Sequence, residues 1–395
     1  MGSQAITRRA FLAGGAAAVL AARTAGRAAA LPRPAASGLD HIVVVMMENR
    51  SFDHMLGWLP GADGKQAGLS YVDRRGIRHS TYPLAPDFQG CGHEDPNHSY
   101  DESRIAYNGG RCDGWLRAGE NDIYAIGYYR QRDLPFLGKA APAFTACDRY
   151  FAPIMGPTFA NRMYVHAGRT DRTNDLPLPS GLPTVWDGLR RRGIPAAYYH
   201  RNFSFLALWG IKYTREAKPW PQVLADCASG DLPAVSFVDP SYTLPLLRLY
   251  NGNDDHPPSD IRAGEWFLSR VYDAVTSSPA WPRTLLVVTF DEWGGFFDHV
   301  RPSFAPDVSR VYSLRGFRVP AVLISPFARR GQVDHGVYDH ASILKLIEWR
   351  FGLPALSVRD AHARNLAAAL DFAHPNTSVP RIAVPRFDDS PPCRS

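Results

Sequence analysis

Five short runs of apolar, β-branched or aromatic residues punctuate the chain, and none alternates with polar positions. They are His41 to Met47, Ala196 to Tyr199, Ala234 to Val238, Thr284 to Phe290 and Val319 to Ile324. A strand with one wet face alternates, so continuous runs predict strands covered on both faces, as in a parallel sheet. Between the runs, apolar residues recur at helical spacing over Thr184 to Arg192, Ile261 to Thr276 and Ala341 to Phe351. In the second of these, Trp266, Phe267, Val271 and Val275 share a stripe. Strands alternating with helices predict an α/β fold with a doubly wound, mostly parallel sheet over residues 39–358.

Two regions break the pattern. Residues 65–139 are polar, Gly-rich and aromatic with no clear period, and are expected to form a loop-rich insertion capping the sheet edge that carries the site. Residues 359–395 read as a Pro-rich tail.

The start of the chain changes how its charge is read. The formal net charge is +6, but residues 1–30 hold Arg8, Arg9, Arg23 and Arg27 and no acid, so the remainder carries +2. Residues 31–38 read as a linker. Arg8 and Arg9 precede a short apolar run, Phe11 to Ala22, and Ala28-Ala29-Ala30 offers small residues for cleavage. That is the layout of a twin-arginine signal peptide, and it predicts export through the twin-arginine translocase to the periplasm, cell wall or medium. No Lys/Arg run with interleaved aromatics remains, which argues against nucleic acid as a partner. The five cysteines form no CxxC pair, so a zinc ribbon is excluded. Cys91 and Cys112, in one Gly-rich region, are candidates to close a loop in an oxidising compartment; the pairing itself is not fixed by sequence.

Candidate chemistry sits at two strand ends. The first run leads into Glu48-Asn49-Arg50-Ser51-Phe52-Asp53-His54, and the fourth into Asp291-Glu292-Trp293-Gly294-Gly295-Phe296-Phe297-Asp298-His299. An acid after a strand ordinarily caps the next helix. Two such ends, each with a neighbouring acid or amide, point instead to a metal pocket beyond the carboxyl edge of the sheet. Carboxylate and amide oxygens suit Mg, Ca or Mn, while nearby histidines admit zinc or iron. In a third segment, Gly156-Pro157 stops one element and Thr158 opens the next. A hydroxyl at a helix start is ordinarily an N-cap, but it also faces free N–H groups that favour phosphate and would suit a nucleophile.

These motifs resemble the bacterial phospholipase C / acid phosphatase family of phosphoesterases. Met46 to His54 is similar to its opening motif, Gly156 to Arg162 to its nucleophile segment, Thr289 to His299 to its second metal motif, and Gly316 to Leu353 to its closing block. The resemblance spans about His41 to Leu353. It implies an alkaline-phosphatase-like fold and one divalent metal ion held by Glu48, Asn49, Asp291 and Glu292. Thr158 falls at the nucleophile position, and His256 and His98 fall near positions that contact phosphate. His256 is favoured by its spacing to Asp291, whereas His98 has His93 as a local competitor. Trp293 stands where many relatives have histidine. His299, His340 and His200 are secondary candidates, each as readily an orienting or core residue. Trp58, Trp115, Trp209, Trp220 and Trp293 read as packing rather than a choline cage. The implied activity is phosphate-ester hydrolysis through a phospho-threonine, on phosphodiesters such as phospholipids. The alternatives are an acid phosphatase on monoesters and, from another class, a secreted binding protein without catalysis. A membrane surface joins the small-molecule or phospholipid ester among the implied partners.

Overall fold

The apolar runs form the centre of an eight-stranded sheet in the computed structural model of the chain, which describes residues 30–243 and 252–393. The expected leader, with its Arg8–Arg9 pair, lies outside the described residues. In chain order the strands are β1 (His41–Met47), β2 (Thr145–Cys147), β3 (Ala196–His200), β4 (Ala217–Pro219), β5 (Val235–Val238), β6 (Thr284–Phe290), β7 (Ala321–Ile324) and β8 (Gln332–Asp334). Across the sheet they lie β8-β2-β7-β6-β1-β5-β3-β4. Every pairing is parallel except those of β7, which opposes both its neighbours. The mostly parallel α/β sheet is therefore present, with a reversed strand that an apolar run, reading alike in both directions, does not mark. All of β6 and all but the first residue of β1 are buried, which requires cover on both faces. β1 and β6 pair in register from His41↔Thr284 to Met47↔Phe290, so the segments beginning at Glu48 and Asp291 leave the sheet side by side.

The α-helices among the described residues are α1 (Phe52–Leu56), α2 (Glu102–Tyr107), α3 (Leu137–Ala143), α4 (Thr158–Ala167), α5 (Val185–Arg191), α6 (Trp220–Ser229), α7 (Ile261–Thr276), α8 (His340–Phe351) and α9 (Val358–His362). The helix expected from Thr184 begins one residue later, because Thr184 is its cap: its side chain and that of Asp187 close a reciprocal capping box. α4 packs on α5 and α8, and α6 packs on α7. Residues 65–139 are more ordered than their composition implied. They hold a small hairpin (Ser70–Val72 with Arg78–Ser80), α2 and the first turn of α3.

The Pro-rich tail is sewn onto the domain. Tyr272 OH donates to the Pro380 carbonyl, Trp281 Nε1 to that of Thr377, and Lys139 Nζ to that of Ala383. It ends in a Cys91–Cys393 disulfide. The Cys91–Cys112 pairing is thereby overturned: Cys112, Cys147 and Cys227 are buried free thiols. The cause is tertiary, since the strap returns Cys393 to Cys91 across 302 residues of sequence.

Glu265, on α7 and wholly buried, accepts hydrogen bonds from the Phe136 and Leu137 N–H groups at the start of α3. Burial pushes its carboxyl up to about 8 against these two donors. A folded value above the unfolded one means the folded chain binds the extra proton between the two. Stability should therefore fall as pH rises from about 4.5 towards 8. Glu265→Gln cannot ionise, so its deficit relative to wild type should shrink, by on the order of a few kcal/mol, between pH 5 and pH 9. Urea unfolding at both pH values checks this; a pH-independent difference would contradict it.

Candidate active site

The two strand-end loops are locked together by their backbones. The Asp291 N–H donates to the Met47 carbonyl (3.0 Å) and the Arg50 N–H to that of Glu292 (3.1 Å). The fit is close enough to demand glycine. A Cβ on Gly294, which has φ +62°, would lie 2.1 Å from the Asn49 carbonyl oxygen. Asn49 itself takes the left-handed conformation at φ +60°, an uncommon state for a residue with a side chain and one that collects at functional sites.

The four residues named as metal ligands follow these strand ends, whereas the acid and histidine groups close enough to share an ion among the described residues are Asp95, His98 and His256, and Asp53, Asp298 and His299. Asp291 Oδ1 accepts from the backbone N–H groups of Asn49 (3.2 Å) and Glu292 (2.7 Å). Glu292 Oε2 accepts from Gly294 N (2.7 Å), while its Oε1 is buried with no hydrogen-bond partner. Glu48 follows the same strand end, its N–H donating to the Asp254 carbonyl (2.8 Å). The carboxyls of Glu48 and Glu292 are both held well above the usual range, first by burial; the Asp291 charge adds to each.

Thr158 arrives from α4. Pro157 occupies the N-cap, and Thr158 is the first helical residue with no capping hydrogen bond to make. Its Oγ1 instead donates to Asn49 Oδ1 at 3.3 Å. The ordinary reading of Thr158 as an N-cap is thus removed, and its hydroxyl is directed to Asn49, one of the candidate metal ligands.

One turn further along α4, Arg162 was not singled out by sequence and proves central. It is buried and pairs with Asp291 (Nε to Oδ2, 3.1 Å), Asp239 (3.2 Å) and Glu48 (3.2 Å), and its Nη2 donates to the Met46 carbonyl (3.0 Å). The available signal was an arginine four positions after Thr158, one helical turn along the same segment.

The two histidines expected near phosphate lie beside each other, His98 against the strand-end residues. His98 Nδ1 donates to the Pro96 carbonyl (2.8 Å), and its Nε2 lies 3.3 Å from Asn49 Nδ2 and 3.7 Å from Glu292 Oε1. Burial opposes its charge, but Glu292 and Asp95 hold its pKa up to about 9. His256 Nδ1 donates to the Pro257 carbonyl (2.7 Å), leaving Nε2 3.7 Å from Asp95 Oδ2. The two rings are 5.8 Å apart. The local competitor, His93, pairs with Asp122 instead. Asp95 and Asp175 are further residues that sequence did not flag. Asp175 Oδ1 accepts from the Phe159 N–H (2.7 Å), beside Thr158. Desolvation raises its carboxyl pKa, and the Asp291 charge adds to this.

The secondary candidates divide. His340 is buried and its Nε2 donates to the Asp291 carbonyl (2.7 Å), so it orients the second strand end; burial lowers its pKa to about 4. His299 belongs to a separate network in which Asp53, Asp298 and Arg318 satisfy one another, with Arg318 at 3.0 Å from Asp53 and 2.9 Å from Asp298. His200 makes no contact with the site residues, and its Nδ1 is buried without a partner. Trp115 and Trp293 pack on Phe317, Trp220 on Phe267 and Trp209 on Phe205, while Trp58 donates to the Met55 carbonyl; none builds a cation cage.

Known proteins share this arrangement of sequence. Residues 39–354 match the model of the Phosphoesterase family. A non-hemolytic phospholipase C of Pseudomonas aeruginosa is 31% identical, the match covering 86% of this chain and 58% of that protein. Phospholipase C B of Mycobacterium tuberculosis is 30% identical, with 89% and 82% covered. Among solved structures, a protein in the alkaline phosphatase superfamily from Vibrio parahaemolyticus aligns at TM-score 0.42 and 12% identity over 83% of this chain and 70% of that one.

Proposed function

Because the chain belongs to the phosphoesterase family, we propose that it hydrolyses phosphoric ester bonds as a phospholipase C-like enzyme, with Thr158 as its nucleophile. The observation that carries the reading is the Thr158 hydroxyl, free of capping duty and bonded to Asn49 at 3.3 Å among buried carboxylates.

The chemistry of the donors at the two strand ends suits a divalent cation. Glu48, Asn49, Asp291 and Glu292 supply oxygen donors suited to a hard ion, Glu292 Oε1 is an orphaned buried acceptor, and two of the acids carry raised proton affinity that a cation would relieve. Bound there, such an ion supplies a lowered proton affinity for a hydroxyl and polarisation of a phosphoryl oxygen.

The chain's own groups do the rest. Thr158 Oγ1 gives up its proton to solvent and attacks phosphorus, the bond to the leaving oxygen breaks, and a phospho-threonine forms. The Phe159 N–H, now given to Asp175, becomes available to a phosphoryl oxygen when the substrate displaces that carboxylate. His98, protonated at neutral pH and anchored through Nδ1, presents Nε2–H as the proton donor to the leaving oxygen. His256 stands beside His98, its Nε2 3.7 Å from Asp95 Oδ2. Arg162 pairs with Asp291 and Glu48 and holds both carboxyls in place. Water then hydrolyses the phospho-threonine.

The reading of residues 1–30 as a twin-arginine leader belongs to the same proposal. The Cys91–Cys393 disulfide supports it, since such bonds persist in oxidising compartments. Expression tests the proposal as a whole. Cells making the chain should place a choline phosphodiesterase activity in the exported fraction, and Lys at both Arg8 and Arg9 should leave it in the cytoplasm. The purified enzyme should favour p-nitrophenyl phosphocholine over p-nitrophenyl phosphate; a strong preference for the monoester would make it an acid phosphatase.

A further inference from the structure

Two loops beside α4 carry apolar side chains into solvent. On the first, Leu176 and Leu178 are 55% and 62% exposed within the sequence Leu176-Pro177-Leu178-Pro179. This tip is built rather than loose. Arg172 Nη1 donates to the carbonyls of Leu176 (3.0 Å) and Leu178 (2.8 Å), the Ser180 N–H donates to the Leu208 carbonyl (2.7 Å), and two prolines restrict the backbone. On the second loop, Val311 and Phe304 are 54% and 65% exposed. It too is tied down: Asp307 accepts from Tyr164 OH on α4 (2.8 Å) and pairs with Arg359, and Ala305 N donates to the Ser313 carbonyl. The two loops wall one cleft of about 390 Å³, with residues 171–179 on one side and Tyr312 on the other. The first loop also reaches the helix start that bears Thr158, through Asp175.

Charge selects the occupant. Every acid on these loops is engaged: Asp171 by Arg172 and Ser180, Asp175 by the Phe159 N–H, and Asp307 by Tyr164 and Arg359. Arg310, exposed at the tip of the second loop, has no carboxylate partner among the described residues. Apolar tips held by hydrogen bonds, with an unpaired cation next to Val311, suit the headgroup layer of a phospholipid surface with anionic lipid. Since the first loop is tied to the helix start that bears Thr158, a lipid surface seated there would bring its own esters near that residue.

We propose that Leu176, Leu178, Val311 and Arg310 form the lipid-docking surface of the enzyme. This rests on the phosphodiesterase reading for its purpose but not for its detection. The test uses the full chain carrying Thr158→Val, so that vesicles stay intact, in sedimentation with phosphatidylcholine vesicles containing phosphatidylglycerol. That protein should bind, and more weakly when phosphatidylglycerol is omitted. Adding Leu176→Ser, Leu178→Ser and Val311→Ser should weaken vesicle binding at least tenfold. The same three changes in the enzyme with Thr158 intact should leave turnover of soluble p-nitrophenyl phosphocholine within twofold. Unchanged vesicle binding would overturn the proposal, as would no binding by the parent or a matching loss of soluble turnover. An enzyme that binds vesicles but hydrolyses no phosphodiester would instead refute the phosphodiesterase reading and leave the docking surface standing.

Discussion

Thr158→Val should lose nearly all turnover, by about three orders of magnitude or more, while the protein stays folded and keeps its metal. Valine retains the branched shape and removes only the hydroxyl. The structure makes this a clean change, because Pro157 is the N-cap and Thr158 makes no capping bond. Its one side-chain hydrogen bond goes to Asn49 Oδ1. The stability cost should therefore be on the order of 1 kcal/mol, that of a single neutral hydrogen bond. Thr158→Ser keeps a hydroxyl with a freer rotamer and should retain part of the rate. Steady-state kinetics beside thermal unfolding separate the outcomes: a Thr158→Val enzyme of near-normal kcat would transfer the attack to water.

Asp291 carries the second large effect. Its carboxylate joins Asn49 N, Glu292 N and Arg162 Nε, so truncation to alanine would also strip a partner from a buried guanidinium, a change that costs about 3–5 kcal/mol. Asp291→Asn is the better probe, since it keeps the shape and one carbonyl acceptor while removing the charge. Turnover should fall by at least about a hundredfold, the scale for one preorganised electrostatic group. Metal bound per chain, measured by elemental analysis, should fall with it. Full metal content with full turnover would detach Asp291 from the site.

Much of this was legible in the chain because it is local. Continuous apolar runs gave β1, β5 and β6 nearly to the residue, and polar residues directly after β1 and β6 marked the loops that meet at the site. What sequence could not supply depends on contacts between distant segments. Arg162 matters because α4 places it against Asp239 and Asp291, which follow two different strands. His340 acts through the Asp291 carbonyl 49 residues away, and Asp175 through Phe159. The same limit misdirected the cysteine reading. Cys112 is near Cys91 in sequence, but the partner of Cys91 arrives on the C-terminal strap. His98, ranked below His256 by the latter's spacing to Asp291 and by the nearby His93, lies against Asn49 and Glu292, contacts that sequence proximity does not reveal.

The central claim is that Thr158 is phosphorylated during turnover. Mixing excess enzyme with p-nitrophenyl phosphocholine, quenching in acid within one turnover and sequencing the peptide by mass spectrometry tests it directly. Phosphocholine or phosphate on Thr158, rising and decaying at the rate of catalysis and missing from Thr158→Val, is the predicted result. Full product release in the first turnover with Thr158 unmodified at every time point would contradict the account.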